Sequence, residues 1–177
     1  HSVPYFFMAA PRVGYVRMVD FNEMTACRAG SSTSCERELE RAIRTLREQG
    51  ATALLLDIRD NPGGLLDQSF AVANLFLGKG KLVVFTRGRS ARDESNYISE
   101  GDNRFADLPL IVLTSRHSAS ASEIVAGAIQ DWDRGVLVGE KTFGKGSVQT
   151  VFNDLPGNNG MKLTTAKYYT PSGRCIH

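Results

Sequence analysis

The sequence predicts an α/β domain in which a parallel-rich sheet is flanked by helices. Apolar runs of strand length at residues 53–58 and 108–114 adjoin segments with helical periodicity. Strands that are apolar throughout and alternate with helices are typical of parallel sheets. A chain of 177 residues is long enough for one domain with a sizeable core and short for two.

The first part of the chain predicts an edge segment, a strand and a loop. Residues 1–12 contain two prolines and predict a linker or edge segment before a core domain of residues 13–177. Residues 13–19 are rich in β-formers and roughly alternate, which predicts a strand. Residues 22–34 are mostly polar or small and predict a loop, at the end of which Thr33 or Ser34 can cap a helix.

Two helices are predicted by apolar residues that recur at the spacing of one helix face. In the first helix, which Gly50 ends, these residues are Leu39, Ala42, Ile43 and Leu46. In the second, at residues 65–77, they are Leu66, Phe70, Ala73 and Leu77.

The second half predicts mainly short strands. Residues 82–86 and 135–139 are short apolar runs, and a hairpin is expected from 147–152 and 162–169 with a turn at 156–160. Residues 87–106 are polar and charged and predict a solvated excursion. A third helix is expected at residues 120–132.

Composition excludes some classes of function. The formal net charge is +2 and 23% of residues are charged, so charge gives no case for binding nucleic acid or a membrane surface. No apolar run approaches the roughly 20 residues that span a bilayer. The chain begins with His1 rather than Met, and we expect it to be a fragment of a longer polypeptide.

The three cysteines form neither a CxxC pair nor a metal-ligand cluster with histidine. Cys27 and Cys35 could pair across the Gly/Ser-rich loop in an oxidising compartment, or both could be free thiols. The odd number leaves one thiol unpaired in either case.

Three serines alternate with alanines from Ser118 to Ser122 and lead into the third helix. Ser120 and Glu123 have the spacing of a capping box, which is the common structural role of such a pair. The start of a helix also exposes backbone N–H groups, and these stabilise the oxyanion of an acyl transfer. Ser120 is therefore a candidate nucleophile as well as a helix cap.

Two glycine-containing segments add to this candidate site. Lys145 lies between Gly144 and Gly146, and such glycines allow a sharp turn or a close approach of the backbone. A lysine acts as a base only when its amine is neutral, which requires desolvation. Residues 59–64 form a strand-to-helix turn with paired glycines, where α/β sites commonly form, although a plain turn has the same pattern.

Together these segments resemble the C-terminal processing peptidases, or tail-specific proteases, a serine-protease family with a Ser–Lys dyad. The segments that carry the resemblance occur in the family's order: residues 13–16, 56–64, 118–131, 139–149 and 168–174. The resemblance implies a Clp-protease/crotonase-like core, no metal or cofactor, and protein substrates with unstructured C-termini. It also implies a periplasmic or cell-envelope location and leaves a homo-oligomer open.

The resemblance assigns the site residues one by one. Ser120 matches the nucleophile, and Lys145, 25 residues later, matches the general base. Gln149 matches a residue that orients this lysine; in a straight strand the two would lie roughly 13 Å apart, so we expect the segment to turn. The backbone N–H groups of Ala121, Gly63 and Gly64 match the oxyanion hole.

Three alternatives accompany this assignment. His117 suggests a Ser–His reading, but no acidic residue is evidently placed to orient it. A non-catalytic binding or scaffold relative would share the fold, as would a crotonase-like acyl-CoA enzyme, which lacks this Ser/Lys pair. Family members usually carry a PDZ domain before the core, and residues 1–12 are too short to form one.

Overall fold

The structure is a computed structural model that describes residues 1–24, 33–90, 94–101, 103–156 and 159–177. Its strands are β1 Tyr5–Ala10, β2 Val13–Arg17, β3 Glu23–Met24, β4 Thr33–Ser34, β5 Ala53–Asp57, β6 Leu82–Gly88, β7 Ser95–Ile98, β8 Leu110–Thr114, β9 Val136–Gly139, β10 Ser147–Leu155 and β11 Asn159–Tyr169. Its helices are α1 Cys35–Glu48, α2 Leu66–Phe76 and α3 Ala121–Asp131.

A five-stranded sheet with the order β1-β2-β5-β8-β9 forms one layer. The β2–β5, β5–β8 and β8–β9 pairs are parallel, and β1 pairs antiparallel with β2 at the edge. The predicted parallel-rich sheet is therefore confirmed. Of the two roles expected for residues 1–12, the structure shows an edge strand.

A second sheet with the order β10-β11-β6-β7 is antiparallel throughout. The prediction of a solvated excursion at residues 87–106 is wrong in part, because residues 95–98 form β7 and Phe105 is buried. The sequence of β7 is polar and therefore did not predict a strand. This strand forms because its backbone pairs with that of β6. Residues 22–34 likewise contain the short antiparallel pair β3–β4.

Helices α2 and α3 pack against two apolar clusters, one for each sheet. Val72 and Phe76 of α2 and Val125 and Ile129 of α3 belong to the cluster of the parallel sheet. The opposite sides of these helices contribute four residues to the cluster that contains β6: Ala73, Leu77, Ile124 and Ala128. The predicted face of α2 is thus only one of two buried faces, because this helix lies between two cores.

The other face of the parallel sheet is open within the described ranges. Ile111, Val136 and Val138 point to this side and are 37%, 62% and 48% exposed. The helices described here cover the opposite face, where Val16, Leu56 and Val112 are fully buried. The apolar runs of β5 and β8 are therefore fully buried on the face that the helices cover and only partly buried on the other.

Helix α1 begins and ends as its sequence predicts. Ser34 Oγ accepts a hydrogen bond from the Arg37 N–H at 3.4 Å, and Gly50 has a φ of +94° just beyond the helix. Cys35 is buried, which raises the pKa of its thiol to about 12. Cys27 lies outside the described residues, so its pairing with Cys35 stays a prediction.

No helix in the described ranges is long and apolar enough to cross a membrane. Within the same ranges, no group of three or more His, Cys, Asp or Glu side chains is placed to hold a metal ion.

Asp57, at the carboxyl end of β5, is a fully buried carboxylate. Its oxygens accept hydrogen bonds from Tyr15 Oη at 2.5 Å, Arg17 Nη1 at 3.0 Å and Arg59 Nη2 at 2.7 Å. Burial acts to raise the Asp57 pKa, but the bonds from Arg59 and Tyr15 and the charge of Arg17 outweigh it. The pKa of Asp57 falls from 3.8 to about 2.

We predict that Asp57→Asn lowers the free energy of unfolding at pH 7 by about 2 kcal/mol, the value of such a pKa difference. Because the folded pKa is depressed, this contribution is present above the unfolded pKa of Asp and is lost as the pH falls toward 2. Urea unfolding at pH 7 and pH 3 should show the difference shrinking with acid. Asp107→Asn, which breaks the exposed pair with Arg47, is the matched control and should change stability little. If Asp57→Asn lowered the free energy of unfolding by the same amount at both pH values, the depressed pKa of Asp57 would not be the cause of its contribution.

Candidate active site

Ser120 lies at the N-terminus of α3 with its backbone in an unusual conformation. Its φ is +57° and its ψ is −113°, in a region that residues with a side chain rarely occupy. Ser120 and Glu123 form a capping box, in which the Glu123 carboxylate accepts the Ser120 N–H at 2.9 Å and the Ser120 side chain lies at the backbone N–H of Glu123. The Ser120 hydroxyl thus lies at the start of the helix, on a residue that is partly exposed.

The two serines that flank Ser120 are buried and anchor this turn. Ser118 Oγ donates to the Ile58 carbonyl oxygen at 2.8 Å, and Ser122 Oγ donates to the Asn61 carbonyl oxygen at 2.9 Å. Both bonds join the serine run to the loop that follows β5. The alternation thus buries Ser118 and Ser122 and leaves Ser120 partly exposed.

The glycine turn after β5 packs directly against Ser120. A Cβ atom on Gly63 would lie 2.8 Å from Ser120 Cβ and 2.8 Å from the Ala121 nitrogen, so only glycine fits. The Gly63 N–H donates to Asn61 Oδ1 at 2.9 Å. Within the described chain, the N–H groups of Gly64 and Ala121 have no hydrogen-bond acceptor.

The glycines beside Lys145 serve the two purposes that the sequence suggested. Gly144 has a φ of +91° and turns the chain. A Cβ on Gly146 would lie 2.6 Å from the His177 nitrogen, so the C-terminal segment requires a glycine there. Strand β10 begins only at Ser147, so Lys145 precedes the strand rather than belonging to it.

Glu123 joins the Ser120 and Lys145 segments. Its side chain is 4% exposed. Glu123 Oε2 accepts the Ser120 N–H at 2.9 Å and the Lys145 N–H at 2.8 Å, and Oε1 accepts the Gly144 N–H at 2.7 Å. One carboxylate therefore fixes the backbone of both candidate catalytic residues.

The side chains of the predicted dyad are not joined in this structure. Among the described residues, no hydrogen bond links Ser120 Oγ with Lys145 Nζ, or Lys145 with Gln149, and both Lys145 and Gln149 are exposed. The roles predicted for Ser120, Lys145 and Gln149 therefore stay predictions. The backbone of Lys145 is held by Glu123, whereas its side chain extends into solvent.

An acidic residue does lie beside His117, contrary to expectation. His117 Nδ1 is 3.1 Å from Asp60 Oδ1, and the hydrogen bonds to His117 and Ser115 lower the Asp60 pKa. The two residues are distant in sequence but follow neighbouring strands, β5 and β8, at the same end of the sheet. His117 makes no described hydrogen bond with Ser120, and its side chain is 67% exposed.

Sequence reasoning missed the structural roles of Glu123 and Asn61. The capping-box spacing drew attention to Glu123 only as a partner of Ser120, and no local pattern reveals a bond to a segment 21 residues later. Asn61, which is fully buried, donates from Nδ2 to the Met18 carbonyl oxygen and accepts the Gly63 N–H. The sequence indicated Asn61 only as one residue of the turn at 59–64, with no role of its own.

We predict that Glu123→Gln lowers the free energy of unfolding by about 2 kcal/mol, because the amide nitrogen that replaces one oxygen cannot accept the N–H groups bonded there, which are Gly144 at Oε1 or Ser120 and Lys145 at Oε2. Urea unfolding followed by circular dichroism measures the change. Glu48→Gln, at an exposed position in α1, is the matched control and should change stability by less than about 0.5 kcal/mol. Equal stability of the two variants would show that the Glu123 bridge contributes nothing.

Comparisons with known proteins identify relatives of this chain. The chain is similar to the carboxy-terminal-processing protease of Bartonella bacilliformis, with 44% identity over 168 residues, which are 93% of this chain and 36% of that protein. It is 42% identical over 165 residues to the carboxyl-terminal-processing protease of a Synechocystis species, covering 93% of this chain and 35% of the relative. The chain thus spans about a third of the length of these relatives.

A solved structure shows the same architecture. The photosystem II D1 C-terminal processing protease superposes with a TM-score of 0.80 at 37% identity, covering 93% of this chain and 39% of that one. Residues 12–177 match the family described as Peptidase family S41. With this match, these identities and the shared fold, the chain belongs to peptidase family S41.

Proposed function

We propose that this chain is the catalytic core of a serine endopeptidase of the tail-specific type. It hydrolyses peptide bonds near unstructured C-termini of proteins through an acyl-enzyme formed on Ser120, with Lys145 as the base. The observation that carries the proposal is the Glu123 carboxylate, which bonds the backbone N–H groups of both residues. This buried acid brings together the backbones of the proposed nucleophile and the proposed base.

In the proposed mechanism, the neutral Lys145 amine removes the proton of the Ser120 hydroxyl while Ser120 Oγ attacks the peptide carbonyl carbon. The resulting ammonium then donates its proton to the leaving amine as the C–N bond breaks. The neutral amine next activates a water molecule, which hydrolyses the Ser120 ester. No metal or cofactor takes part in these steps.

The proposed oxyanion hole consists of backbone donors at the N-terminus of α3 and in the adjacent turn. The Ala121 N–H follows Ser120, and the Gly64 N–H lies in the turn that packs against it. Since Asn61 occupies the Gly63 N–H, Gly64 and Ala121 are the two donors that remain for the oxyanion. Gly63 then serves through its close contact with Ser120. Two such donors supply the usual stabilisation of a tetrahedral intermediate.

Catalysis requires the Lys145 side chain to turn toward Ser120. A bound peptide removes water from the cleft, and desolvation favours the neutral amine. Gln149, on β10, is exposed in the same region and is the proposed orienting partner of Lys145. Because Glu123 already fixes the Lys145 backbone, this closure needs rotation of a side chain rather than refolding of the segment.

We predict that Ser120→Ala and Lys145→Ala each reduce cleavage of a reduced and carboxymethylated protein by at least about a thousandfold. Since the two residues act as one unit, the double variant should be no slower than the slower single variant. Gel electrophoresis of timed digests measures the rates, and circular dichroism checks that each variant is folded.

His117→Ala is the matched control for the Ser–His alternative. Under the proposed mechanism it cleaves within about threefold of the unaltered chain, because His117 contacts Asp60 rather than Ser120. A loss as large as that of Lys145→Ala would instead make His117 the base. Equal cleavage by all variants would contradict the assignment of Ser120 as the nucleophile. A chain that is folded and binds the substrate but does not cleave it would favour the binding or scaffold alternative.

Selectivity for protein tails and a periplasmic or cell-envelope location belong to the same proposal. Both rest on the family resemblance, in which a PDZ domain commonly presents the substrate C-terminus. Cleavage assays with one unfolded protein, with its C-terminal tail either intact or fused to a folded domain, test the preference for tails. Signal-sequence fusions and fractionation of the producing bacterium test the location.

A further inference from the structure

The Ser115 hydroxyl connects the two loops that form the candidate site. We call residues 58–64 the turn loop and residues 115–119 the nucleophile loop. Ser115 Oγ accepts the N–H of Asp60 at 2.9 Å and that of His117 at 3.2 Å, and it donates to Asp60 Oδ1 at 3.0 Å. One hydroxyl in the nucleophile loop is therefore bonded to both the backbone and the side chain of a residue in the turn loop.

The backbone of Asp60 depends on contacts of this kind. Its φ is +60°, in the left-handed region that a residue with a side chain occupies at an energetic cost. Such a conformation persists only where the surrounding contacts over-determine it. Ser115 bonds the N–H and the carboxylate of Asp60, and His117 Nδ1 lies 3.1 Å from the same carboxylate. The conformation in which the chain enters the glycine turn therefore relies on Ser115.

Further hydrogen bonds continue this connection toward the proposed nucleophile. The Ser115 N–H donates to Ser118 Oγ at 3.0 Å, and Ser118 Oγ donates to the Ile58 carbonyl oxygen at 2.8 Å. The Ala119 N–H donates to the Asn61 carbonyl oxygen at 3.0 Å. Three residues of the turn loop are therefore bonded to the nucleophile loop, which leads directly into the proposed nucleophile.

We infer that Ser115 is a positioning residue for the proposed reaction, because its hydroxyl sets the place of the Gly64 N–H relative to Ser120 Oγ. The inference rests on the proposed function, in which the Gly64 N–H is an oxyanion donor. This N–H has no acceptor among the described residues, so its position follows from the path of the turn loop. A displacement of about 1 Å near the reacting atoms costs roughly a hundredfold in rate. Ser115 acts on this placement through Asp60 and does not itself touch the reacting atoms.

The test separates the rate of turnover from the binding of substrate. An internally quenched peptide, made from a cleavage site found in the carboxymethylated protein, gives kcat and KM for each variant. We expect Ser115→Ala to lower kcat about tenfold and to leave KM within about twofold, because the hydroxyl acts on the placement of a donor. Ser115→Thr keeps the hydroxyl and should hold kcat within about threefold of the unaltered chain. The matched control Ser95→Ala removes an exposed hydroxyl from β7 in the second sheet, and kcat should stay within about twofold.

A second measurement follows the proposed nucleophile directly, with a fluorophosphonate as the probe. Ser120 Oγ bonds to phosphorus, its proton passes to the base and fluoride leaves, and mass spectrometry of the intact chain gives the rate. We expect Ser115→Ala to slow this labelling about tenfold, because the phosphoryl oxygen requires the same donors as the oxyanion. Ser95→Ala should label at the rate of the unaltered chain, and circular dichroism checks that each variant is folded.

Three outcomes overturn the inference: equal kcat for Ser115→Ala and Ser95→Ala, a raised KM with unchanged kcat in Ser115→Ala, or Ser115→Thr as slow as Ser115→Ala. The first outcome would show that the bonds of Asn61 suffice to hold the turn loop. Failure of the proposed function is a different result. In that case Ser120→Ala and Lys145→Ala cleave as fast as the unaltered chain, or the unaltered chain neither cleaves nor reacts with the fluorophosphonate, and the inference fails with it.

Discussion

The structure of the candidate site depends on one buried carboxylate. Glu123 accepts N–H groups from Ser120, Gly144 and Lys145, and it has no cation as an ion-pair partner among the described residues. A buried carboxylate without a counter-charge is costly unless its oxygens accept several hydrogen bonds. These bonds are available only when the loop before β10 lies against the first turn of α3. The requirement to satisfy this charge therefore holds the two segments together.

The backbones of Ser120 and Lys145 are held in place by hydrogen bonds, whereas the side chains of these two residues are not bonded to each other. The Ser120 backbone is fixed in a strained conformation by its hydrogen bonds and by contact with Gly63. Strain of this kind persists only where the surroundings over-determine it, and it is frequent at functional sites. Lys145 is equally fixed at its backbone, yet its side chain is exposed. In the proposed mechanism, the scaffold sets the backbone positions of both residues in advance, and the Lys145 amine approaches Ser120 when substrate binds.

The elements that sequence could predict are those with a strong local pattern. Helix α1 has both caps and a regular apolar face, and β5 and β8 are unbroken apolar runs. Strand β7 could not be predicted, because its residues are polar and its order derives from pairing with the distant β6. The division into two sheets was also hidden, since the sequence of β6 does not distinguish a parallel partner from an antiparallel one. The prediction of a face for α2 was incomplete for a related reason: one periodicity cannot describe a helix buried on two sides.

For the site, the sequence indicated which segments matter but not how they are joined. The serine run, the glycine turn and the glycine-flanked lysine were each recognisable from local chemistry. Their connections pass through long-range contacts of Glu123 and Asn61, for which a single sequence carries no local trace. Asn61 also distinguishes chemically equivalent donors, because its side chain accepts the Gly63 N–H, whereas the Gly64 N–H has no acceptor among the described residues. The spacing of residues in the sequence identifies candidates for such a site. Only the hydrogen bonds formed in the folded chain distinguish one candidate from another.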